Sequence, residues 1–309
     1  MTLENLAFQS VRAIDRITDL IIKAALCVVL LIGVYSLWDS QQVYNAADSN
    51  NYVAFRPTVD DTVSFEELRA VNPEVFAWLT VIDTPIDYPM TQTTNNDKYI
   101  NTNAEGAYAL SGAIFLDYRN SPDFDDFNSI IYGHHMEKKM MFGALSDFAE
   151  ASYFDAHPYG NLYYNGSDHG IDFFALVLTS AYDNQLFAPA VADADRRQEY
   201  IDAIYSKAVC RRDLPVTAED QIIVLSTCTS AITNGRYLLF GKLCDENHLP
   251  PVVEKPVIIN RGKGVDAKQL NQFAQYPVGL WIAVIVFLIL LLIAIRVLTS
   301  RKRPKRKKN

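Results

Sequence analysis

Two uninterrupted apolar runs, placed near the two ends of the chain, limit what this sequence can fold into more than any other feature. Residues 20–38 (LIIKAALCVVLLIGVYSLW) hold Lys23 as their only charge, and residues 278–295 (VGLWIAVIVFLILLLIAI) hold none. A helix rising 1.5 Å per residue needs about 20 residues to cross a hydrocarbon core of ~30 Å, so each run is long enough. Lys23 sits about one turn inside the first run, where its stem reaches the interface. Arg12, Arg16 and Lys23 precede or open the first run, whereas Asp39 and Asp48 follow it. Arg296 and seven Lys/Arg among the last nine residues follow the second. Basic flanks stay in the cytoplasm, so the expected topology is two-pass, in the cell membrane, with both termini inside and residues 39–277 outside. A cleaved signal peptide is disfavoured, because the run exceeds a 7–15-residue h-region and no small-x-small site follows it.

The charge balance fits that picture. The whole chain carries −8, but the last nine residues contribute +7, which leaves −15 for the first 300. An acidic body excludes a nucleic-acid partner, and the basic tail suits anionic lipid. Half of the 309 residues are apolar, which excludes a disordered polymer.

The expected organisation is a cytoplasmic N-terminus (1–19), a transmembrane helix (20–38), an extracellular stalk (39–64) and an external domain (65–244). A second stalk (245–277), a second transmembrane helix (278–295) and a basic cytoplasmic tail (296–309) complete it. In the external part, residues 65–72, 139–149 and 193–209 read as helices. Residues 76–90, 112–118, 129–133, 161–165, 171–182, 221–227 and 236–243 read as strands rich in Ile, Val, Phe and Tyr. About eight strands without regular strand–helix alternation predict a mainly β fold with peripheral helices, a compact β-barrel rather than a doubly wound sheet. No phosphate-binding Gly loop, CxxC pair or HExxH occurs, and His157, His169 and His248 are scattered, so no metal or cofactor is expected.

Of four cysteines, Cys27 falls in the first apolar run and leaves Cys210, Cys228 and Cys244 outside. An odd external count leaves one thiol free unless chains cross-link, and Cys210 with Cys244 is one pairing open to it. Cys228 ends the apolar run Ile222-Ile-Val-Leu-Ser-Thr-Cys228, and Arg236 opens the next β-like run. His134 follows the run that ends Ile131-Tyr-Gly133. Each alone has a bland reading: a buried thiol, a solvated arginine, a surface histidine. Together they supply a nucleophile, a proton donor and acceptor, and a fixed cation for an oxyanion.

These segments resemble the sortases, membrane-anchored cysteine transpeptidases of Gram-positive bacteria, and among them class B. Val224-Leu-Ser-Thr-Cys228 is similar to the family's Thr-Leu-x-Thr-Cys signature, and Arg236 falls where the catalytic arginine falls. Ile131-Tyr-Gly-His-His-Met136 with Met141-Phe-Gly143 resembles the class B histidine segment, with His134 at the catalytic position. Ile86-Asp-Tyr-Pro89, Asn96 and Gly112-Ala-Ile-Phe-Leu-Asp-Tyr-Arg-Asn120 are further landmarks, so the likeness runs from about Phe65 to Leu243. Two departures stand out. Val224 replaces a threonine, and a C-terminal membrane helix is more typical of the pilin-polymerising class C, whose Asp-Pro-aromatic lid motif is absent here.

The resemblance implies a closed eight-stranded sortase barrel. Cys228 is the implied nucleophile, His134 the general acid/base, and Arg236 the ligand of the oxyanion or substrate carbonyl. Asn96, Tyr132, Ser226 and Thr227 are implied to contact substrate. The implied partners are surface proteins or pilins bearing a C-terminal sorting signal, and an amine acceptor from a peptidoglycan precursor or a pilin lysine. The outcome would be cell-wall anchoring or pilus polymerisation, with the second core-plus-anchor arrangement tilting toward pili. A catalytically silent membrane-anchored scaffold and a cysteine hydrolase using water are the competing readings.

Overall fold

A computed structural model describes residues 3–58, 63–229, 231 and 233–249. The second apolar run, the basic tail and all but the first five residues of the second stalk lie outside the described residues. The chain divides into two compact units, and residues 41–256 make up the larger.

The first apolar run lies within one helix, α1 (Leu3–Ala47), of 45 residues. At 1.5 Å per residue it is about 68 Å long, over twice a hydrocarbon core. Its apolar part has a mean hydropathy of 2.5, and none of that stretch is buried. Ile21, Ile22, Leu26, Val29 and Leu30 are all exposed, a distribution that suits a lipid-facing helix. Lys23, the one charge in the run, pairs with Asp19 one turn back at 2.7 Å. The helix continues past Trp38 to Ala47, and the residues after it pack on the barrel instead of hanging free. Tyr52 and Ala47 are buried, the Tyr88 hydroxyl donates to the Ala47 carbonyl at 2.9 Å, and Arg56 pairs with Asp87 at 3.2 Å.

The described residues of the larger unit contain nine strands: β1 (Val75–Val81), β2 (Asp87–Thr91), β3 (Ile114–Leu116), β4 (Asn128–Tyr132), β5 (Tyr159–Tyr164), β6 (Ser167–Ser180), β7 (Ala208–Arg211), β8 (Ile222–Thr229) and β9 (Gly235–Cys244). Their order is β5-β1-β2-β3-β4-β8-β9-β6-β7, and β6 also pairs with β5. Eight strands therefore close into the barrel that the sequence predicts, and β7 hangs on β6 outside the ring. β6 serves three neighbours because it is 14 residues long: its first part pairs with β5, its second with β7, and β9 lies along its other edge. The pairs β2–β3 and β4–β8 are parallel, so long crossovers (92–113 and 133–221) must return the chain to the same end.

The even and odd residues of β8 enter different cores. Ile223 and Leu225 pack with Ile131 and Leu239 inside the barrel. Ile222 and Val224 pack with Leu238 and Phe240 beneath α4 (Ala194–Lys207), which contributes Tyr200, Ile201 and Ile204. A strand buried on both faces reads as a continuous apolar run, which is how residues 222–225 read. Asp193 caps α4, accepting from the Asp195 and Arg196 amides.

Two local expectations are revised, and one helix was not expected. Residues 139–149 are not an α-helix: Lys138, Lys139 and Met141 have φ of 58°, 60° and 52°, and only Gly143–Ala149 coil, as a 3-10 turn. The helix read over 193–209 stops at Lys207, where Ala208 turns extended and begins β7. A short α3 (Ala151–Ala156) gives no periodic signal in six residues. The 65–72 helix is α2 (Val63–Val71), which buries Phe65 and Leu68 on the barrel.

Candidate active site

Three adjacent strands, β4, β8 and β9, end at the same rim of the barrel. β8 and β9 are antiparallel with Cys228 opposite Arg236, and β4 runs parallel to β8 with Tyr132 opposite Ser226. The β4–β8 ladder continues one step further, because the Gly133 amide donates to the Ser226 carbonyl at 3.2 Å. His134 follows immediately, two residues beyond Tyr132 as Cys228 is two beyond Ser226. Neighbouring strands lie about 4.8 Å apart and opposed Cβ atoms about 5 Å apart. The rim therefore carries Cys228, Arg236 and His134 at three neighbouring strand ends. Cys228 is a free thiol and is exposed.

The histidine is held at both its main chain and its ring. The Phe142 amide donates to its carbonyl at 3.0 Å, and its Nε2 lies 2.8 Å from the Ile100 carbonyl. A carbonyl only accepts, so Nε2 carries a hydrogen and Nδ1 is the proton-accepting nitrogen of the neutral ring. Ile100 ends a 3-10 turn in the β2–β3 crossover, and Tyr99 anchors that turn. Tyr99 is buried, accepts from Asn72 Nδ2 at 2.9 Å and donates to Glu74. Burial first, and then the Glu74 carboxylate, push its phenol well above the usual range. Gly112 closes the same loop at φ 60°, where a Cβ would strike the Tyr99 and Ile100 carbonyl oxygens.

Asn96 and Tyr132 meet at a residue the sequence reading did not single out, although its landmark segment contains it. Asp117 is fully buried and accepts from Asn96 Nδ2 (3.0 Å), the Tyr132 hydroxyl (3.1 Å), and Arg119 Nε and Nη2 (both 2.8 Å). Burial pushes its carboxyl up, but the Arg119 fork and the Asn96 amide outweigh that and hold it below the usual carboxylate range. Asn96 Oδ1 in turn accepts from the Tyr118 amide at 3.0 Å. Both side chains are thus bound into a buried network that braces the β3–β4 end of the rim.

Ser226 and Thr227 are each 2% exposed, and neither hydroxyl has a partner among the described residues. Strand alternation sets them apart: Ser226 shares the face of Cys228 and Arg236, whereas Thr227 shares the face of Leu225. Cys210 and Cys244 are remote from each other. Cys210 pairs across β6 with Leu176 and Cys244 with Gly170, six residues apart along the strand and on its two edges. That offset is about 20 Å, far beyond the ~4.4–6.8 Å Cα separation of a disulfide, so the pairing left open by the sequence is not made. His157 stacks on Tyr153 and His169 on Tyr164, both away from the three strand ends.

No family model matches the chain. A Sortase B of Listeria monocytogenes is 34% identical over 181 residues, which cover 57% of this chain and 72% of that protein. Among solved structures, sortase B from the type II pilus of Streptococcus pneumoniae is 42% identical with a TM-score of 0.52, covering 59% of this chain and 99% of that one. A Streptococcus pyogenes class B sortase involved in pilus biogenesis is 40% identical with a TM-score of 0.54, covering 59% and 98%. A closed barrel whose cysteine, arginine and histidine end three neighbouring strands, with relatives of this identity and coverage, places the chain in the class B sortases, the cysteine transpeptidases.

Proposed function

We propose that Cys228, His134 and Arg236 carry the transpeptidation and that the product is a pilin polymer. The observation that carries the reading is the direct pairing of Cys228 with Arg236 beside the strand end that leads into His134. In the first step the Cys228 thiolate attacks the carbonyl carbon of a C-terminal sorting signal. The peptide C–N bond breaks, and the imidazolium of His134 delivers its proton to the departing amine. In the second step an amine attacks the thioester, His134 accepts its proton, and the thiolate leaves. Arg236 donates to the oxyanion in both steps; a guanidinium, with its pKa above about 12, takes no part as a base. Ser226, on the face of Cys228, offers its unpartnered hydroxyl to the bound peptide, and Asn96 and Tyr132 shape the neighbouring wall through Asp117.

The two pilus sortases are more similar to this chain, at 42% and 40% identity, than the Listeria enzyme at 34%. That ordering favours a pilin lysine over a cell-wall amine as acceptor. The topology proposed with it is two-pass, with both termini cytoplasmic and the barrel outside, held by residues 20–38 and 278–295.

The test incubates the full-length protein in detergent with peptides bearing C-terminal sorting signals and with lysine- or glycine-ended acceptors, and weighs the products. Amide conjugates with the lysine acceptor, lost in Cys228→Ala while the fold persists, support the reading. Free acid alone favours hydrolysis, and conjugation only to glycine favours wall anchoring.

A further inference from the structure

At the opposite end of β9 from Arg236, three potential metal ligands converge that the sequence scatters over 77 residues. Asp172 on β6, Cys244 at the end of β9 and His248 just beyond it hold one ligand atom each, all within 4.8 Å of one another. Cys244 Sγ lies 3.6 Å from His248 Nε2, which lies 2.8 Å from Asp172 Oδ1. We infer that Asp172, Cys244 and His248 form a zinc site that clasps the chain to the barrel wall where it leaves β9.

The surroundings are built around these three groups. Cys244 pairs with Gly170 across the β6–β9 ladder, and a Cβ at Gly170 would strike His248 Cδ2, Cys244 Sγ and the Glu246 carbonyl. Only glycine lets the imidazole fold over the strand onto the thiol. Tyr159, the β5 partner of Asp172, stacks on the His248 ring at 4.2 Å and fixes its plane. Lys242, which faces Asp172 across the ladder, is turned instead to Asp220 at 2.8 Å. A carboxylate and a thiol therefore adjoin with their nearest lysine engaged elsewhere.

The ligand set selects the ion. Thiolate and imidazole suit zinc, whereas calcium and magnesium take oxygens. Zn–S of ~2.3 Å and Zn–N of ~2.0–2.1 Å in a tetrahedron place sulfur and nitrogen about 3.5 Å apart, close to the separation found, and the nitrogen–oxygen pair would open by about half an ångström. One position stays for water. Arg236 lies eight residues up β9, about 26 Å away at ~3.3 Å per residue, so the ion takes no part in peptide transfer. The inference is independent of the proposed reaction.

The test titrates Co²⁺, as a spectroscopic stand-in, into the reduced full-length protein in detergent. One equivalent is expected to give a thiolate-to-cobalt charge-transfer band, displaced by Zn²⁺, and Zn²⁺ is expected to raise Tm. Both effects should vanish in Cys244→Ser and in His248→Gln, and persist in Cys210→Ser and in Cys228→Ala. No band in the parent protein, or a band that survives in His248→Gln and Cys244→Ser, overturns the site. Should Cys244→Ser fail to fold, His248→Gln and Asp172→Asn decide the matter, since loss of the band in folded variants supports the site and its survival overturns it.

Discussion

Cys228 and Arg236 are opposed residues of one antiparallel ladder, flanked by the pairs Thr227–Tyr237 and Thr229–Gly235. Their separation is therefore set by strand pairing and not by the conformation of the turn that joins them. Arg236 Nη1 donates to the Gly235 carbonyl at 3.0 Å, its one side-chain hydrogen bond among the described residues. Replacing Arg236 by Ala should lower kcat about 10²–10³-fold, in the range for loss of an oxyanion donor, with unchanged Tm. Lys, a point charge without the fork, should recover only part of this. Steady-state kinetics with a fixed peptide and amine measure it, and a variant with parental kcat would remove Arg236 from the reacting centre.

Gly112→Ala tests the hold on His134 from a distance. A Cβ at Gly112 would lie 2.5 Å from the Tyr99 carbonyl oxygen and 2.7 Å from that of Ile100, with φ at 60°. The Ile100 carbonyl is the acceptor of His134 Nε2, so relieving the clash moves the imidazole's anchor. Stability should fall by about 1–3 kcal/mol, and kcat by up to about 10²-fold with the pH profile of kcat displaced. A stability loss with an unmoved profile would mean that Ile100 does not position the ring.

Ser226 and Thr227 differ in a way that activity and stability resolve separately. Both bury a hydroxyl without a partner among the described residues, a state that costs about 1–3 kcal/mol, so neither Ser226→Ala nor Thr227→Val should destabilise the fold. Ser226 shares the face of Cys228, so Ser226→Ala should lower kcat/KM about tenfold, the worth of one ~1.4 kcal/mol hydrogen bond. Thr227 faces the barrel side, and Thr227→Val should leave kcat/KM unchanged. Chemical denaturation alongside kinetics separates the outcomes, and equal effects at both positions would refute the assignment of faces.

Acid should act through Asp117. Folding lowers its pKa below the ordinary value near 3.9, so its contribution is complete above that pH and fades as pH falls through the native value. Asp117→Asn should therefore cost about 1–3 kcal/mol at pH 7 and flatten the loss of stability below about pH 4. Urea midpoints at pH 7 and pH 3 measure both, and parallel pH curves for the two proteins would contradict it.

Much of the barrel was legible in the chain because its strands are long or strongly apolar. The runs at 171–182, 221–227 and 236–243 correspond to β6, β8 and β9 within a few residues. What failed was local and short. β7 follows α4 without a break, its four residues alternate only weakly in burial, and nothing in Ala208–Arg211 opposes helix until β6 offers an edge. Residues 138–141 look helical in composition, yet three of them adopt left-handed φ because the loop must turn back to pair His135 with Met141.

The candidate site divides in the same way. The chain alone singled out Cys228, His134 and Arg236 as candidates by residue type and motif, and the apolar run at 20–38 by length, because these properties are local in sequence. It did not identify Asp117 as the hub joining Asn96 to Tyr132, and it left His248 among the scattered histidines. Those assignments depend on which strand ends lie side by side: β4 meets β8 across a crossover of 89 residues (133–221), and β6 meets the end of β9 some 70 residues later. Ladder pairing between distant segments is decided by closure of the barrel, whose buried faces fix the register, and no stretch of the chain carries that information by itself.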